Sequence, residues 1–199
     1  LLGRVRQRVL LVLILAAAGA VMVGLGLLVF QAATLRQSLP QGVSMASVGW
    51  QLVSRSRWGL LWLARQLMLL IGAGLWLVAR HSYRHGEAPS VLIKVVAAAL
   101  TLAILVVQAL SGHAAALTTG TALAVIADSL HLIGVGVWFG GLVSLLIGVF
   151  PYVRHRTGHT AEILRLTWSG FGRVAAPAVG LVVVTGLYAT GRQVASADA

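Results

Sequence analysis

The sequence predicts an all-α, polytopic transmembrane helical bundle. Of the 199 residues, 59% are hydrophobic and only 10% are charged, and the mean hydropathy is +0.94. A chain of this size cannot hide so much apolar surface in one water-soluble core, and its uninterrupted apolar runs approach the length that crosses a bilayer. The lipid bilayer is therefore the first predicted partner.

Five apolar runs are long enough to cross a hydrocarbon core of about 30 Å at about 1.5 Å per residue. The first run is uncharged, the second carries Arg65 about a third of the way in, and the third has Lys94 close enough to its end to snorkel. The fourth is the longest, so it must tilt or extend beyond the hydrocarbon. The predicted spans are residues 9–30, 59–79, 91–110, 122–149 and 171–189.

The connection between the first two spans is too long to be a simple turn. Its part over residues 47–58, SVGWQLVSRSRW, alternates apolar, aromatic and basic residues. This pattern predicts a short interfacial helix with Trp50 and Trp58 at the depth of the lipid headgroups.

The basic residues in the connections predict the orientation of the spans. One side of an alternating topology carries Arg4, Arg6, Arg8, Arg80, Arg84, Lys94, Arg154, Arg156, Arg165 and Arg173. The other side carries only Arg36, Arg55, Arg57 and Arg192. By the positive-inside rule, the N-terminus of this segment is cytoplasmic and residues 111–121 face outward.

Composition also excludes several classes of function. The net charge of +11 could indicate nucleic acid, but the basic residues lie between apolar runs, so lipid headgroups are the expected partners and nucleic acid is not. The chain has no cysteine, which excludes disulfides and thiolate metal sites. It contains no P-loop, acylation triad or paired carboxylates, so the sequence does not predict an enzyme.

Asp128 is the only acid inside a long apolar stretch, and it lies three residues before His131. A carboxylate at the centre of a bilayer costs about 2.5 to 3.5 kcal/mol even on the lenient insertion scale, so such residues usually mark an ion or proton site. The spacing places both side chains on one helix face. The alternative is a purely structural pair. Arg65, which also needs a partner in the membrane, is expected to pair with Asp128 directly or through water.

His113 lies at the outer end of the third span, and His131 lies about 15 Å deeper by helical rise. The two histidines therefore predict a relay rather than one site, with capture at His113 and transfer to Asp128 and His131. An ordinary interfacial histidine is the alternative for His113.

Two further patterns receive simpler interpretations. Gly136 and Gly140 form a GxxxG motif, and Gly134 and Gly141 thin the same surface, so another backbone is expected to approach this helix closely. Two histidine pairs have i,i+4 spacing, but glycines lie within or next to them, and solvated basic loops are the preferred interpretation. The pairs are His81 with His85 and His155 with His159.

Three stretches resemble the CopD family of bacterial copper resistance and copper transport membrane proteins. They are SGHAAA at 111–116, ADSLHLIGVGVWFGGL at 127–142 and GFGRVAAPAVGLVVVTGLYAT at 170–190. SRWGLLWLARQ at 56–66 is also similar, and the resemblance is strongest over residues 108–190. It implies one CopD-like transmembrane domain over residues 1–199 that forms part of a larger bundle of about eight spans. It also implies that the protein is located in the bacterial cytoplasmic (inner) membrane.

The resemblance implies copper handling at the periplasmic face, as copper uptake, transport or resistance. Imidazole suits copper, and carboxylate suits Cu(II). The candidate metal ligands are His131 and His113, with Asp128 as a second ligand or as the partner that fixes the imidazole tautomer. A periplasmic copper-binding protein of the CopC type and a larger membrane complex are the implied partners.

Two other classes of function stay open. A heme-binding membrane electron carrier would use transmembrane histidines as axial ligands, but it needs two of them at comparable depth on facing helices. A non-transporting accessory subunit of a membrane complex would use the glycine-rich faces for packing only.

Overall fold

The computed structural model describes residues 2–40, 42–112, 121–149 and 160–197. These ranges contain six helices and no strand, which confirms the all-α prediction. In chain order the helices are α1 (Leu2–Gln37), α2 (Met45–Arg55), α3 (Arg57–Arg84), α4 (Val91–Ser111), α5 (Thr121–Gly148) and α6 (Thr160–Ala197).

All helices except α2 are long and apolar enough to cross a membrane, so the protein is a multi-pass membrane protein with the lipid bilayer as its surroundings. The five predicted spans are confirmed, although α1 and α6 extend well beyond them. Hydropathy marks only the part of a helix that lies in lipid. Arginine, glutamine and glutamate favour the helical state and let both helices continue into polar surroundings.

The chain divides into two compact units. We call Leu10–Ser111 the α1–α4 unit, and Leu1–Val9 together with Gly112–Ala199 the α5–α6 unit. The single domain predicted over residues 1–199 stays a prediction.

Within the α1–α4 unit, α3 runs antiparallel to α1 and is joined to it by polar side chains. The Trp62 indole donates a hydrogen bond to the Gly24 carbonyl at 2.8 Å, and the Gln66 amide donates to the Val21 carbonyl at 3.3 Å. Trp62 and Gln66 are both buried. Since lipid offers no hydrogen-bond partners, these contacts fix the rotation of α3 toward α1.

The predicted short helix before the second span is confirmed as α2. Ser44 caps its N-terminus by accepting a hydrogen bond from the Ser47 backbone at 3.2 Å. Val48 is 2% exposed and Trp50 is 72% exposed, so the helix has one packed face and one outward face. Such an amphipathic helix suits the interfacial position expected for it.

Gly59 allows α2 to pack closely on the start of α3. A Cβ at this position would lie 2.1 Å from the Leu52 carbonyl oxygen and 2.5 Å from the Val53 Cα, which are backbone atoms that cannot turn away. Ser56 lies between the helices, donating to the Leu52 carbonyl at 2.6 Å and accepting from the Gly59 backbone at 2.9 Å.

We expect Gly59→Ala to lower the free energy of unfolding by about 1 to 3 kcal/mol, because α2 must move away from α3. The measurement is reversible denaturant unfolding in detergent, followed by circular dichroism. Gly49→Ala is the matched control, since a Cβ on Gly49 meets nothing within 4 Å and alanine favours the helix. Equal effects of the two substitutions would contradict the close-packing argument.

The α5–α6 unit is an antiparallel helix pair. Residue numbers rise along α5 as they fall along the facing side of α6. The contacts that define this register are His131 with Thr185, Gly134 with Ala178 and Val182, and Gly141 with Phe171. Helix α6 continues through Pro177 without a break.

Candidate functional site

His131 and Thr185 form the central polar contact of the α5–α6 unit. His131 Nδ1 lies 3.0 Å from the Thr185 hydroxyl oxygen. Thr185 is only 6% exposed, and the imidazole is half-buried. The position that a Cβ would occupy on Gly186 is 3.7 Å from His131 Cε1, so the imidazole ring lies against α6 where this helix has no side chain.

The hydroxyl proton of Thr185 determines the tautomer of His131. The Thr185 oxygen lies 2.7 Å from the Leu181 carbonyl oxygen, which can only accept. Because a hydroxyl has one proton, donation to Leu181 leaves the Thr185 oxygen to accept from His131 Nδ1–H. In the neutral imidazole Nε2 is then the nitrogen without a proton, so its lone pair is the one available to a metal ion.

The contact with Thr185 leaves open both roles expected for Asp128. Thr185 on the neighbouring helix holds the imidazole at Nδ1. Asp128 is half-buried and lies one turn before His131 on the same face of α5. Its two expected roles, as a second ligand and as the partner that fixes the imidazole tautomer, stay predictions.

The antiparallel register places Asp128 level with Tyr188 on α6, one turn beyond Thr185. The Tyr188 hydroxyl accepts a hydrogen bond from Arg192 Nη1 at 3.1 Å. The Arg192 guanidinium carbon lies 5.9 Å from the centre of the Tyr188 ring. The Arg192 cation and the Tyr188 phenol therefore lie on the neighbouring helix in this part of the unit. Polar groups at this depth lower the free-energy cost of placing a carboxylate in lipid.

Of the four α5 glycines at which the sequence predicts a close approach, two lie against α6, and they are not those of the GxxxG motif. A Cβ on Gly134 would lie 2.9 Å from the Ala178 carbonyl oxygen, and one on Gly141 would lie 2.4 Å from the Phe171 ring. A Cβ on Gly136 or Gly140 would meet nothing within 4 Å. The predicted close approach of another backbone is confirmed for Gly134, whereas Gly141 lies against the Phe171 side chain. For the GxxxG pair it stays a prediction, because those two glycines lie on another face of the helix, where no described residue approaches them.

A second polar cluster lies in the α1–α4 unit around Arg65. Arg65 Nη1 donates a hydrogen bond to the Gln108 side-chain oxygen of α4. Arg65 Nε and Gln66 Oε1 are buried and have no hydrogen-bond partner in the structure. The partner predicted for Arg65, Asp128, belongs to the α5–α6 unit, and that pairing stays a prediction.

Two apolar cavities have no histidine, aspartate or arginine among the described residues that line them. One, of about 360 Å³, is lined by Leu142, Leu145, Leu146, Val149, Leu164, Thr167 and Trp168. The other, of about 240 Å³, lies between α1, α3 and α4 and is lined by residues such as Leu13, Trp76 and Leu105. Neither cavity is lined by His131 or Asp128, so a large organic ligand bound in either cavity would not contact these two residues.

The remaining sequence-predicted residues are placed as follows. His113, the proposed capture residue, lies outside the described residues, as do His155 and His159. Among the residues that the structure describes, no group of three histidine, cysteine, aspartate or glutamate side chains could hold a metal ion. His131 and Asp128 therefore supply at most part of a metal site.

Comparison with models of known families, with curated proteins and with solved structures finds no match. The CopD resemblance therefore stays a prediction that depends on the quoted motifs.

Thr185 is the site residue that the sequence interpretation missed. The sequence did contain a signal, because Thr185 is a hydroxyl residue in an otherwise apolar run, GLVVVTGL. Hydroxyl side chains in membrane helices often bond back to the preceding turn and give no further information. Thr185 differs from such a residue because the rotation of α6 about its axis points the Thr185 hydroxyl at His131 on α5.

Proposed function

We propose that this protein handles copper at a bacterial inner membrane, with His131 as a nitrogen ligand on the path of the ion. The single observation that supports this proposal is the hydrogen bond between His131 Nδ1 and Thr185. Ligating histidines in metalloproteins usually donate their other ring N–H to a fixed acceptor, which orients the ring and raises its basicity. His131 has this arrangement within a membrane span.

Charge asymmetry supports an entry route from the periplasm. The excess of basic residues in alternate connections favours a cytoplasmic N-terminus, so the Thr121 end of α5 would face outward. His131 lies ten residues from that end, or about 15 Å by helical rise. Copper would reach His131 through His113, delivered by a periplasmic copper-binding protein of the CopC type.

Asp128 would provide the charge that this route needs. A carboxylate one turn before His131 attracts a cation into the low-dielectric membrane and supplies an oxygen ligand that suits Cu(II). Inside a membrane span water is scarce and cannot complete the coordination of a copper ion held by two donors, so the proposal requires at least one more ligand. His113 is the candidate within this chain, and a further span in a larger bundle is the other source.

The proposal is tested by copper stoichiometry of the protein in lipid nanodiscs, purified without a histidine tag. We expect His131→Ala to lose one bound copper per chain, because an alanine offers no donor atom. Thr185→Val should weaken copper binding about tenfold or more by freeing the ring, and Thr185→Ser should keep it by retaining the acceptor. Unchanged copper content in His131→Ala would end the proposal.

The same samples separate the alternative functions. An absorption spectrum with a Soret band that disappears in His131→Ala would indicate the heme-binding electron carrier instead. Absence of both copper and heme in the wild-type protein would indicate the accessory subunit, in which His131 and Thr185 only hold α5 to α6.

A further inference from the structure

The histidine pair near the end of α3 lies on a helix and not in the loop that the sequence favoured. His81 is in the last turn of α3, and His85 is its C-cap residue. The His85 backbone N–H donates to the His81 carbonyl at 3.2 Å, so the helical hydrogen bonding continues through both residues. The i,i+4 spacing therefore places both imidazoles on one side of the helix.

The glycine that suggested a loop is the residue that ends the helix. Gly86 has φ of +82°, a left-handed conformation that glycine adopts without strain. The Glu87 N–H donates to the Ser82 carbonyl at 3.0 Å, and the Gly86 N–H donates to the Tyr83 carbonyl at 3.4 Å. These two bonds form a Schellman motif, which holds the last turn in place.

The two imidazole rings already lie close together. Their centroids are 4.4 Å apart and their planes are inclined by 52°. Two histidine nitrogens that bind one ion at about 2 Å each lie roughly 3 Å apart, so only small side-chain rotations are needed from this arrangement. Both histidines are exposed, so an ion can reach them from solvent.

Charge around the pair acts in both directions. The C-terminal end of a helix carries partial negative charge, which favours a bound cation. The Arg80 Nε atom is buried. Arg84, three residues after His81, is exposed, and its positive charge repels a metal ion bound to the two histidines. We therefore expect moderate affinity and a preference for the ion that binds nitrogen ligands most strongly, which is Cu(II) among the divalent first-row metals.

We propose that His81 and His85 form a two-histidine site for a divalent transition-metal ion at the C-terminal end of α3. The site does not depend on His131, because each ligand and the cap belong to α3 and the residues that follow it. It is a separate metal-binding activity of this chain.

The test uses Cu²⁺ itself and the full chain in nanodiscs, without a histidine tag. In a background where His113, His131, His155 and His159 are all alanine, His81 and His85 are the only histidines left. We expect this variant to bind one Cu²⁺ with two coupled nitrogens in its electron paramagnetic resonance spectrum. His81→Ala or His85→Ala should weaken that binding about tenfold or more.

A composition-matched control moves one histidine to the opposite face of the helix. The double substitution Tyr83→His with His85→Tyr keeps every residue type but changes the spacing to i,i+2, which separates the rings. We expect it to lose the two-nitrogen signal. Equal Cu²⁺ affinity in this control and its parent would overturn the proposal. If the four-alanine background fails to fold, the same four histidines are replaced by asparagine instead, and an unchanged signal after His85→Ala in that background would also overturn the proposal.

Discussion

Gly134→Leu is expected to separate α5 from α6 and to lower the free energy of unfolding by about 3 kcal/mol. Even the first atom of a new side chain would lie 2.9 Å from the Ala178 carbonyl oxygen and 2.9 Å from Val182 Cγ2. A carbonyl oxygen in a helix cannot turn away, so α6 must move as a whole. Thermal unfolding in detergent, followed by circular dichroism, measures the loss.

Gly136→Leu is the matched control for this prediction. It adds the same side chain to the same helix two residues later, where a Cβ meets nothing within 4 Å. We expect it to leave stability unchanged or to raise it slightly, because leucine favours a helix more than glycine does. If Gly136→Leu were the more damaging substitution, the face assigned to the α5–α6 contact would be wrong.

The same substitution should also change the proposed copper site. His131 lies one turn from Gly134, and its hydrogen bond to Thr185 spans the two helices at 3.0 Å. A displacement of α6 by one side-chain width breaks that bond and frees the ring. Gly134→Leu should therefore weaken copper binding even where the protein remains folded at the temperature of measurement, and Gly136→Leu should not.

Gln108→Leu is expected to cost about 2 to 3 kcal/mol of stability, because it leaves part of a charged guanidinium without its acceptor. Arg65 Nη1 donates to Gln108, and Arg65 Nε is already buried without a partner. Arg65→Leu should cost less, since it leaves only a neutral amide without its partner. The double variant should recover much of the loss, because well-packed apolar residues often replace a buried polar pair at little cost.

The measurement is the free energy of unfolding of these three variants in a reversible denaturation experiment, and the prediction is the order of their losses. A larger loss for Arg65→Leu than for Gln108→Leu would contradict it, and would show that Arg65 has a stronger partner than Gln108.

The spans could be predicted from the sequence because lipid imposes a physical requirement on each of them separately. Every backbone group must be satisfied within the segment, so about twenty apolar residues become a helix whatever their neighbours are. The short helix α2 was predictable for a similar reason, since its alternating aromatic and basic residues suit an interface. Helix ends were less predictable, as the extent of α6 from Thr160 shows.

Contacts between helices could not be predicted in the same way, because they depend on rotation about each helix axis. Gly134 and Gly136 are equally small, yet only Gly134 faces α6. Nothing in the apolar run around Thr185 distinguishes it as a site residue. Its contact with His131 becomes visible only when the register of α5 and α6 is known. From the sequence alone, Gly86 favours a loop at His81 and His85, whereas its positive φ in the structure shows that it caps the helix.

The packing order of the helices has a consequence for the way the chain is made. Several closely packed helices are neighbours in sequence, namely α2 with α3, α3 with α4, and α5 with α6. Contacts of short sequence separation cost little loop-closure entropy and form quickly. Each helical hairpin can therefore assemble as soon as its second helix enters the membrane, so the hydrogen bond between His131 and Thr185 can form once α6 has entered.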